Sequence, residues 1–328
     1  MTDATQTADD SAGKGASGAA DSGNGSRSTS PRQRLSDAAT VGSYKFGALA
    51  AKLLPGPMTS LTAAGLGFGA SVASPAKRAI IERHLQRVNP KLRGASLRVA
   101  VQQAFDSYAR YYVESFRLPT LSAQTVRKSF TVEGFENIPA ALEQGNGCIL
   151  ALPHLGGWEW AGRWMTDQGY PLTVVVEALE PPELFEWFAD LRKNLGMTVI
   201  PTGPQAAAGV VAALARNEIV CLLCDRDLDR KGVEVEFFDE RTTLPPGPAV
   251  LGLRVGAPIL PAAAYFTDDH NGHHAVVRPP LPLTRRAGLR EDVARLTQQL
   301  AHELEFLIRR APEQWHMFQP NWPSDPGY

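Results

Sequence analysis

From Phe130 onward the chain alternates short apolar runs with segments of helical length, and that alternation constrains the fold more than any other feature. Strands are predicted at Phe130–Glu133, Cys148–Leu152, Leu172–Val176, Thr198–Ile200, Ile219–Cys224, Val233–Phe238, Pro258–Phe266 and His274–Arg278. Helices are predicted around 138–144, 157–168, 182–195, 204–216, 247–255 and 290–310. Such a series implies an α/β class: a mostly parallel central sheet flanked by helices on both faces. Val233–Phe238 alternates apolar and polar residues cleanly, as a half-exposed edge strand does. No internal repeat is present.

The N-terminal third is organised differently. Residues 1–34 are rich in Ser, Gly, Ala and Asp and contain no aromatic residue and no apolar period, so a disordered tail is expected. The acids Asp3, Asp9, Asp10 and Asp21, and the lack of an apolar run after a basic start, argue against a transit or secretory peptide. Residues 35–118 read as a helical, membrane-associating region. Tyr44 to Leu54 has amphipathic helical spacing and stops at Pro55-Gly56-Pro57, and a second apolar stretch runs from Met58 to Ala73. Neither reaches the roughly 20 apolar residues of a spanning helix. Gly65, Gly67 and Gly69 weaken the second as a helix. Lys77, Arg78, Arg83, Arg87, Lys91, Arg93 and Arg98 then face a single acid, Glu82. A basic stretch beside apolar helices suits an anionic membrane surface, at about 1 kcal/mol per basic side chain near it; a solvated helix face is the plainer alternative. Gly94 to Leu118 reads as a long helix, ended by Pro119, with an apolar face (Val99, Phe105, Tyr108, Tyr112, Phe116) whose aromatic residues are read as core. Residues 119–328 form the α/β core.

Composition narrows the function classes. With 44% hydrophobic residues the chain can bury a substantial core, and a net charge of −1 offers no global field for nucleic acid. Three cysteines make no disulfide framework and suit a reducing compartment. Cys221 and Cys224 lie within one apolar strand, where their odd offset points them to opposite faces, so buried packing explains them better than zinc or redox chemistry. His270, His273 and His274 surround Asn271-Gly272, the signature of an exposed hairpin tip.

The chemistry concentrates after the strand Cys148–Leu152, in Pro153-His154-Leu155-Gly156-Gly157-Trp158-Glu159-Trp160. His154 stands where a strand ends, the edge at which open α/β sheets bind ligands. Glu159 stands five positions on, at the start of the next helix. A neutral imidazole there can take a proton from a hydroxyl, while a carboxylate holds its tautomer and stabilises the imidazolium. That apparatus can move an acyl group from a thioester to an alcohol without a covalent enzyme intermediate. Backbone N–H groups near Gly156-Gly157, or a cation such as Arg192, are candidate donors to the oxyanion. A lone His after a strand is also often only structural.

Other segments continue the pattern in order. Glu177 follows Leu172–Val176; Arg192 lies in Leu191-Arg192-Lys193-Asn194-Leu195-Gly196; Asp225-Arg226-Asp227 follows Ile219–Cys224; Leu244-Pro245-Pro246-Gly247-Pro248-Ala249 and Gly256-Ala257-Pro258-Ile259-Leu260-Pro261 come after. Over roughly residues 40 to 320 this series resembles the glycerolipid acyltransferase superfamily, in the bacterial branch that holds lipid A (lauroyl) acyltransferases and phosphatidylinositol mannoside acyltransferases. One departure from the lipid A members stands out: they usually carry Asn before the Trp, where this chain has Gly157.

The resemblance implies an acyl-CoA donor, palmitoyl-CoA first among them, a membrane glycolipid acceptor, and a peripheral enzyme on the cytoplasmic face of the cell membrane. The expected acceptor is a mannose hydroxyl of a phosphatidylinositol mannoside, with lipid A precursors or lysophospholipid as the alternatives. No cofactor, metal or nucleic acid is expected. His154 is the expected general base, with Glu159 orienting its imidazole, and Glu177 and Arg192 lining the acceptor site. Arg226 is a candidate phosphate ligand. Asp225 or Asp227 would fix that arginine or bind sugar hydroxyls. Asp225, Asp227, Asp229 and Glu236 match a calcium loop in spacing, but Gly232 falls at its eighth position rather than its sixth and the flanks read as strands. No G-x-S-x-G elbow or dinucleotide fingerprint is present. A membrane lipid carrier that kept the fold and lost catalysis is the alternative of another class.

Overall fold

The computed structural model describes residues 31–328 except 57, 178–179 and 270, with side chains from residue 41 onward. Four helices come first: α1 (Pro31–Leu53), α2 (Met58–Ala73), α3 (Pro75–Val88) and α4 (Gly94–Arg117). Of the expected tail, residues 1–30 and His270 of the expected hairpin tip lie outside the described residues; residues 31–34 already belong to α1, which opens on a proline whose fixed φ suits a first helical turn. Tertiary contact overrides the glycines that weaken α2. A Cβ on Gly67 would meet the Asp106 backbone at 2.7–2.8 Å, so α2 lies directly on α4.

A short helix, α5 (Ala123–Lys128), capped by the Ser122 hydroxyl, leads into β1 (Phe130–Glu133). There follow α6 (Asn137–Leu142), β2 (Cys148–Leu152), α7 (Trp158–Asp167), β3 (Leu172–Val176), α8 (Pro182–Asn194), β4 (Thr198–Pro201), α9 (Ala206–Ala215) and β5 (Ile219–Leu223). The chain continues through β6 (Val233–Phe237), β7 (Glu240–Leu244), α10 (Gly247–Val255), β8 (Ile259–Phe266), β9 (His273–Val277) and α11 (Leu289–Arg309).

Seven strands make the central sheet in the order β1-β9-β8-β2-β5-β3-β4. Every neighbouring pair is parallel except β8 with β9. Residues alternate along β2 between two cores: Ile149 and Ala151 pack with α9, α10 and α11, whereas Cys148 and Leu150 pack with α7, α8 and the end of α4. Cys224 joins the first core and Cys221 the second, as their odd offset requires. With β1 reached on one side of β2 and β3 and β4 on the other, β2 sits at a topological switch point.

Two expectations change. Val233–Phe238 is not an edge of the main sheet; β6 pairs only with β7, in a separate antiparallel hairpin, and its buried residues Val235 and Phe237 pack into the core. His273 is not exposed. The β8–β9 turn tucks against α4, where Arg117 donates to Asn271 Oδ1, and the His273 ring is buried against Trp160 at 4.3 Å between centroids. Its Nδ1 lies 2.9 Å from the Asn271 carbonyl and its Nε2 3.0 Å from the Glu114 carboxylate.

Candidate active site

The register of the sheet brings together residues far apart in sequence. β2 and β5 are adjacent and parallel, with Leu152 opposite Leu223. His154 and Asp225 each lie two residues beyond that pair, so the strand ends deliver them side by side. His154 Nδ1 lies 2.6 Å from Asp225 Oδ1, and the His154 backbone N–H donates to Oδ2 at 2.9 Å. A carboxylate only accepts, so Nδ1 carries the proton and Nε2 keeps its lone pair. Among the described residues no protein group hydrogen-bonds Nε2, and the ring opens onto a pocket.

Asp225 is fully buried, which by itself would raise its pKa. The charge and hydrogen bond of His154, with further bonds from the Trp315 indole N–H (2.7 Å) and the His154 backbone, outweigh burial and hold the carboxyl below its usual range. The Asn321 amide donates to the Asp225 carbonyl at 3.0 Å, and the His316 backbone N–H donates to the His154 carbonyl at 2.7 Å.

Glu159 does not orient the imidazole. Its Oε1 accepts from Arg192 Nε at 3.0 Å and from the Tyr111 hydroxyl at 3.2 Å, and Arg192 Nη2 lies 2.7 Å away. The turn before α7 explains the separation. Gly156 adopts φ +57°, and a Cβ there would sit 2.1 Å from the Ala264 carbonyl oxygen; the turn carries Glu159 toward α4 and α8. Burial works against the Arg192 charge, and Glu159 more than offsets it. Burial, then the Glu159 charge, pushes the Tyr111 phenol up, so it remains neutral.

Of the expected oxyanion donors, the backbone N–H groups are spent. Gly156 N–H donates to the Gln314 carbonyl at 3.0 Å and Gly157 N–H to the Ala264 carbonyl at 3.1 Å. Two cationic side chains, Arg192 and Arg226, line the pocket over His154 instead. Arg226 pairs with Glu177 at 2.7 Å, as the register of β3 beside β5 allows. Asp227 is drawn away: its Oδ2 accepts from Gly232 N–H at 2.7 Å and from the Thr243 hydroxyl at 2.8 Å, which fixes the entry to the β6–β7 hairpin. Neither Asp225 nor Asp227 holds Arg226.

The polar pocket, about 320 Å³, is walled by His154, Glu177, Arg192, Arg226, His316 and three tyrosines of α4. Trp158 also borders a second, almost wholly apolar cleft running into the core past Leu150, Leu152, Gly162, Val174 and Met197. A Cβ on Gly162 would meet Met197 Cε at 2.5 Å. Tyr108 and Tyr112, expected in the core from their spacing, therefore face the site, as does Tyr111 between them. The helical period marks a buried face without saying whether a pocket lies against it. The C-terminal run Trp315-His316-Met317-Phe318-Gln319-Pro320-Asn321-Trp322 was likewise passed over, although its density of Trp, His and Asn is a signal.

Comparison with known proteins shows the family to which the chain belongs. The sequence profile of the bacterial lipid A biosynthesis acyltransferases matches residues 30–324. The chain is 35% identical over 301 residues to a phosphatidylinositol mannoside acyltransferase of Mycobacterium tuberculosis, covering 90% of this chain and 92% of that protein. It is 36% identical over 265 residues to the phosphatidylinositol mannoside acyltransferase of Mycolicibacterium smegmatis, covering 80% and 84%. A lipid A biosynthesis palmitoleoyltransferase of Escherichia coli is 26% identical over 270 residues, covering 80% and 84%.

Proposed function

Because the chain belongs to the bacterial lipid A biosynthesis acyltransferase family and is an acyltransferase, we propose that it moves a fatty acyl chain from acyl-CoA to a mannose hydroxyl of phosphatidylinositol mannoside, with His154 as general base. The observation that carries the mechanism is the 2.6 Å contact between Asp225 and His154, whose ring lines the polar pocket, with Trp158 shared between that pocket and the apolar cleft. The acyl chain lies in the cleft and the thioester carbonyl beside Trp158. His154 Nε2 takes the acceptor hydroxyl proton as that oxygen attacks the carbonyl carbon. The new C–O bond forms, the tetrahedral intermediate collapses with loss of the C–S bond, and the imidazolium returns the proton to the leaving sulfur. Asp225 holds the tautomer and stabilises the imidazolium, the role expected of Glu159. Glu159 acts one step back, fixing Arg192 in the pocket wall. Arg192 and Arg226 supply positive charge for the oxyanion and for phosphate groups, and Glu177 meets sugar hydroxyls. No cofactor enters this scheme.

Identity of 35–36% to two phosphatidylinositol mannoside acyltransferases, against 26% to a lipid A enzyme, supports the mannoside as acceptor. The first two helices support a membrane site. Phe46, Leu49 and Leu53 of α1 and Leu61, Leu66, Phe68 and Val72 of α2 are exposed apolar side chains, and no described helix is long and apolar enough to cross a membrane. They lie in the headgroup layer of the cytoplasmic leaflet. Tyr44, on the inner face of α1, packs on Phe188 and on Tyr112, a wall residue of the pocket, which sets the helix beside the site. An open pocket over His154 disfavours the lipid-carrier alternative, and Asp225 fills the place that Glu159 leaves. Transfer of labelled palmitate from palmitoyl-CoA to phosphatidylinositol dimannoside, lysophospholipid and a lipid A precursor, run in parallel, tests the reading. Preferential labelling of the dimannoside is expected; preferential labelling of either other acceptor overturns the acceptor assignment, and no labelling of any overturns the donor.

A further inference from the structure

We propose that Trp315 is a positioning residue of this reaction: its indole N–H fixes the Asp225 carboxylate and so tunes the His154–Asp225 pair. The inference rests on His154 being the general base.

Asp225 Oδ2 accepts two bonds, from the His154 backbone N–H and from Trp315 Nε1, while Oδ1 meets the imidazole. The carboxylate is wholly buried, so protein groups rather than water decide how its charge is shared. A donor on Oδ2 draws charge from Oδ1, and the pull on the imidazolium weakens accordingly. Burial alone would raise the Asp225 pKa; the His154 charge and these bonds hold it low.

The indole is held rigidly. Its backbone bridges Leu155, next to the base, and its ring packs on Phe238 and Trp322 at 5.8 and 6.2 Å between centroids. The segment that carries it is tied down further along. Asp325 accepts from Asn321 N–H and Trp322 N–H and lies 3.0 Å from His84 Nε2 and 2.7 Å from Arg87 Nη1, while His84 Nδ1 meets the Met317 carbonyl at 3.0 Å.

Other ionisable groups surround the pair. Cys224 and His316 adjoin it, His84 packs on Trp315 at 5.6 Å, and Arg192, Arg226, Glu177, Tyr108 and Tyr111 share the pocket. Burial pushes the Cys224 thiol up. Burial, then the His154 charge, pushes His316 down to about 3. Neither changes charge between pH 5 and 9.

The test is the pH profile of kcat/KM for transfer from palmitoyl-CoA to phosphatidylinositol dimannoside. Two enzymes lack the donor: Trp315→Phe, and a protein with benzothienylalanine at 315, which keeps the bicyclic shape and replaces N–H by sulfur. Without the donor the carboxylate stabilises the imidazolium more strongly, so the acid limb moves up by about 0.5–1 pH unit. Activity near pH 6 falls about 3–10-fold more than activity near pH 8. Asp225→Asn moves the limb the other way. A lower rate with an unmoved limb in both donor-free enzymes, or a wild-type profile with benzothienylalanine, overturns the inference alone. A wild-type rate in His154→Ala overturns the general-base reading, and the inference with it.

Discussion

Asp225 and Glu159 both carry buried carboxylates near the base, and their different partners separate what their loss does. Asp225→Asn keeps the shape and removes the charge opposite the imidazolium, so kcat should fall by about 10²–10⁴-fold with little change in acceptor KM, a split that steady-state kinetics reads directly. Glu159→Gln leaves Arg192 buried without its counter-charge, so the expected loss is in folding, about 3–5 kcal/mol in urea denaturation, with a weaker effect on turnover. Gly157 is a third sensitive position. A Cβ there would stand 2.5 Å from His273 Cδ2, and that ring cannot give way because it is stacked on Trp160 and held by Asn271 and Glu114. Gly157→Ala should lower stability by about 1–3 kcal/mol in the same measurement. At this scale the sequence singles out the histidine that the structure places at the pocket, since a His at a strand end beside two glycines is a local pattern. It points to the wrong carboxylate because proximity along the chain favours Glu159. The true partner lies 71 residues away and is delivered by strand register, which no local pattern encodes.

Among the elements, the alternation of apolar runs locates the strands of the main sheet because all of them except the edge strand β4 bury residues on one or both faces. It did not locate β7, whose Glu240-Arg241-Thr242-Thr243 start is polar and pairs with β6 in a hairpin of its own. The basic stretch from Lys77 to Arg98 reads as one patch in sequence, yet α3 divides it. Arg83 and Arg87 turn inward to Asp325, and Arg87 also meets Glu240. The proposed membrane contact therefore rests more on the apolar faces of α1 and α2 than on this charge. Leu61→Glu and Phe68→Glu together should weaken sedimentation with anionic vesicles by at least about 10-fold, while the circular dichroism spectrum stays that of the wild type, because both side chains are exposed.

For the whole molecule, the C-terminal segment from Trp315 to Asp325 is the common tie: it meets α3 through His84, the β6–β7 hairpin through the bond from the Trp322 indole to the Phe237 carbonyl, and the site through Trp315, His316 and Asn321. Its burial also makes the fold sensitive to acid. His316 is held down to about 3, below its unfolded value near 6.5, so its contribution is complete above that value and is lost as pH falls through the window toward 3. Thermal melts should show stability declining there with a slope approaching about 1.4 kcal/mol per pH unit, and His316→Gln should flatten that decline. Asp225 and Asp325, both held low by their donors, lose their contributions only below about pH 4. The α/β class was legible because it follows from alternation alone, but the tie was not, since its partners are scattered over positions 84 to 325 and meet only once the sheet has formed. In the proposed mechanism the family's chemistry runs on His154 held by Asp225. Its most direct measurement is the single-turnover rate of acyl transfer to phosphatidylinositol dimannoside in His154→Ala, Asp225→Asn and Glu159→Gln, each normalised to folded protein. Near abolition is expected in the first two and a modest loss in the third; a Glu159→Gln enzyme as dead as His154→Ala, beside an Asp225→Asn enzyme near wild type, would overturn the His154–Asp225 pairing as the basis of catalysis.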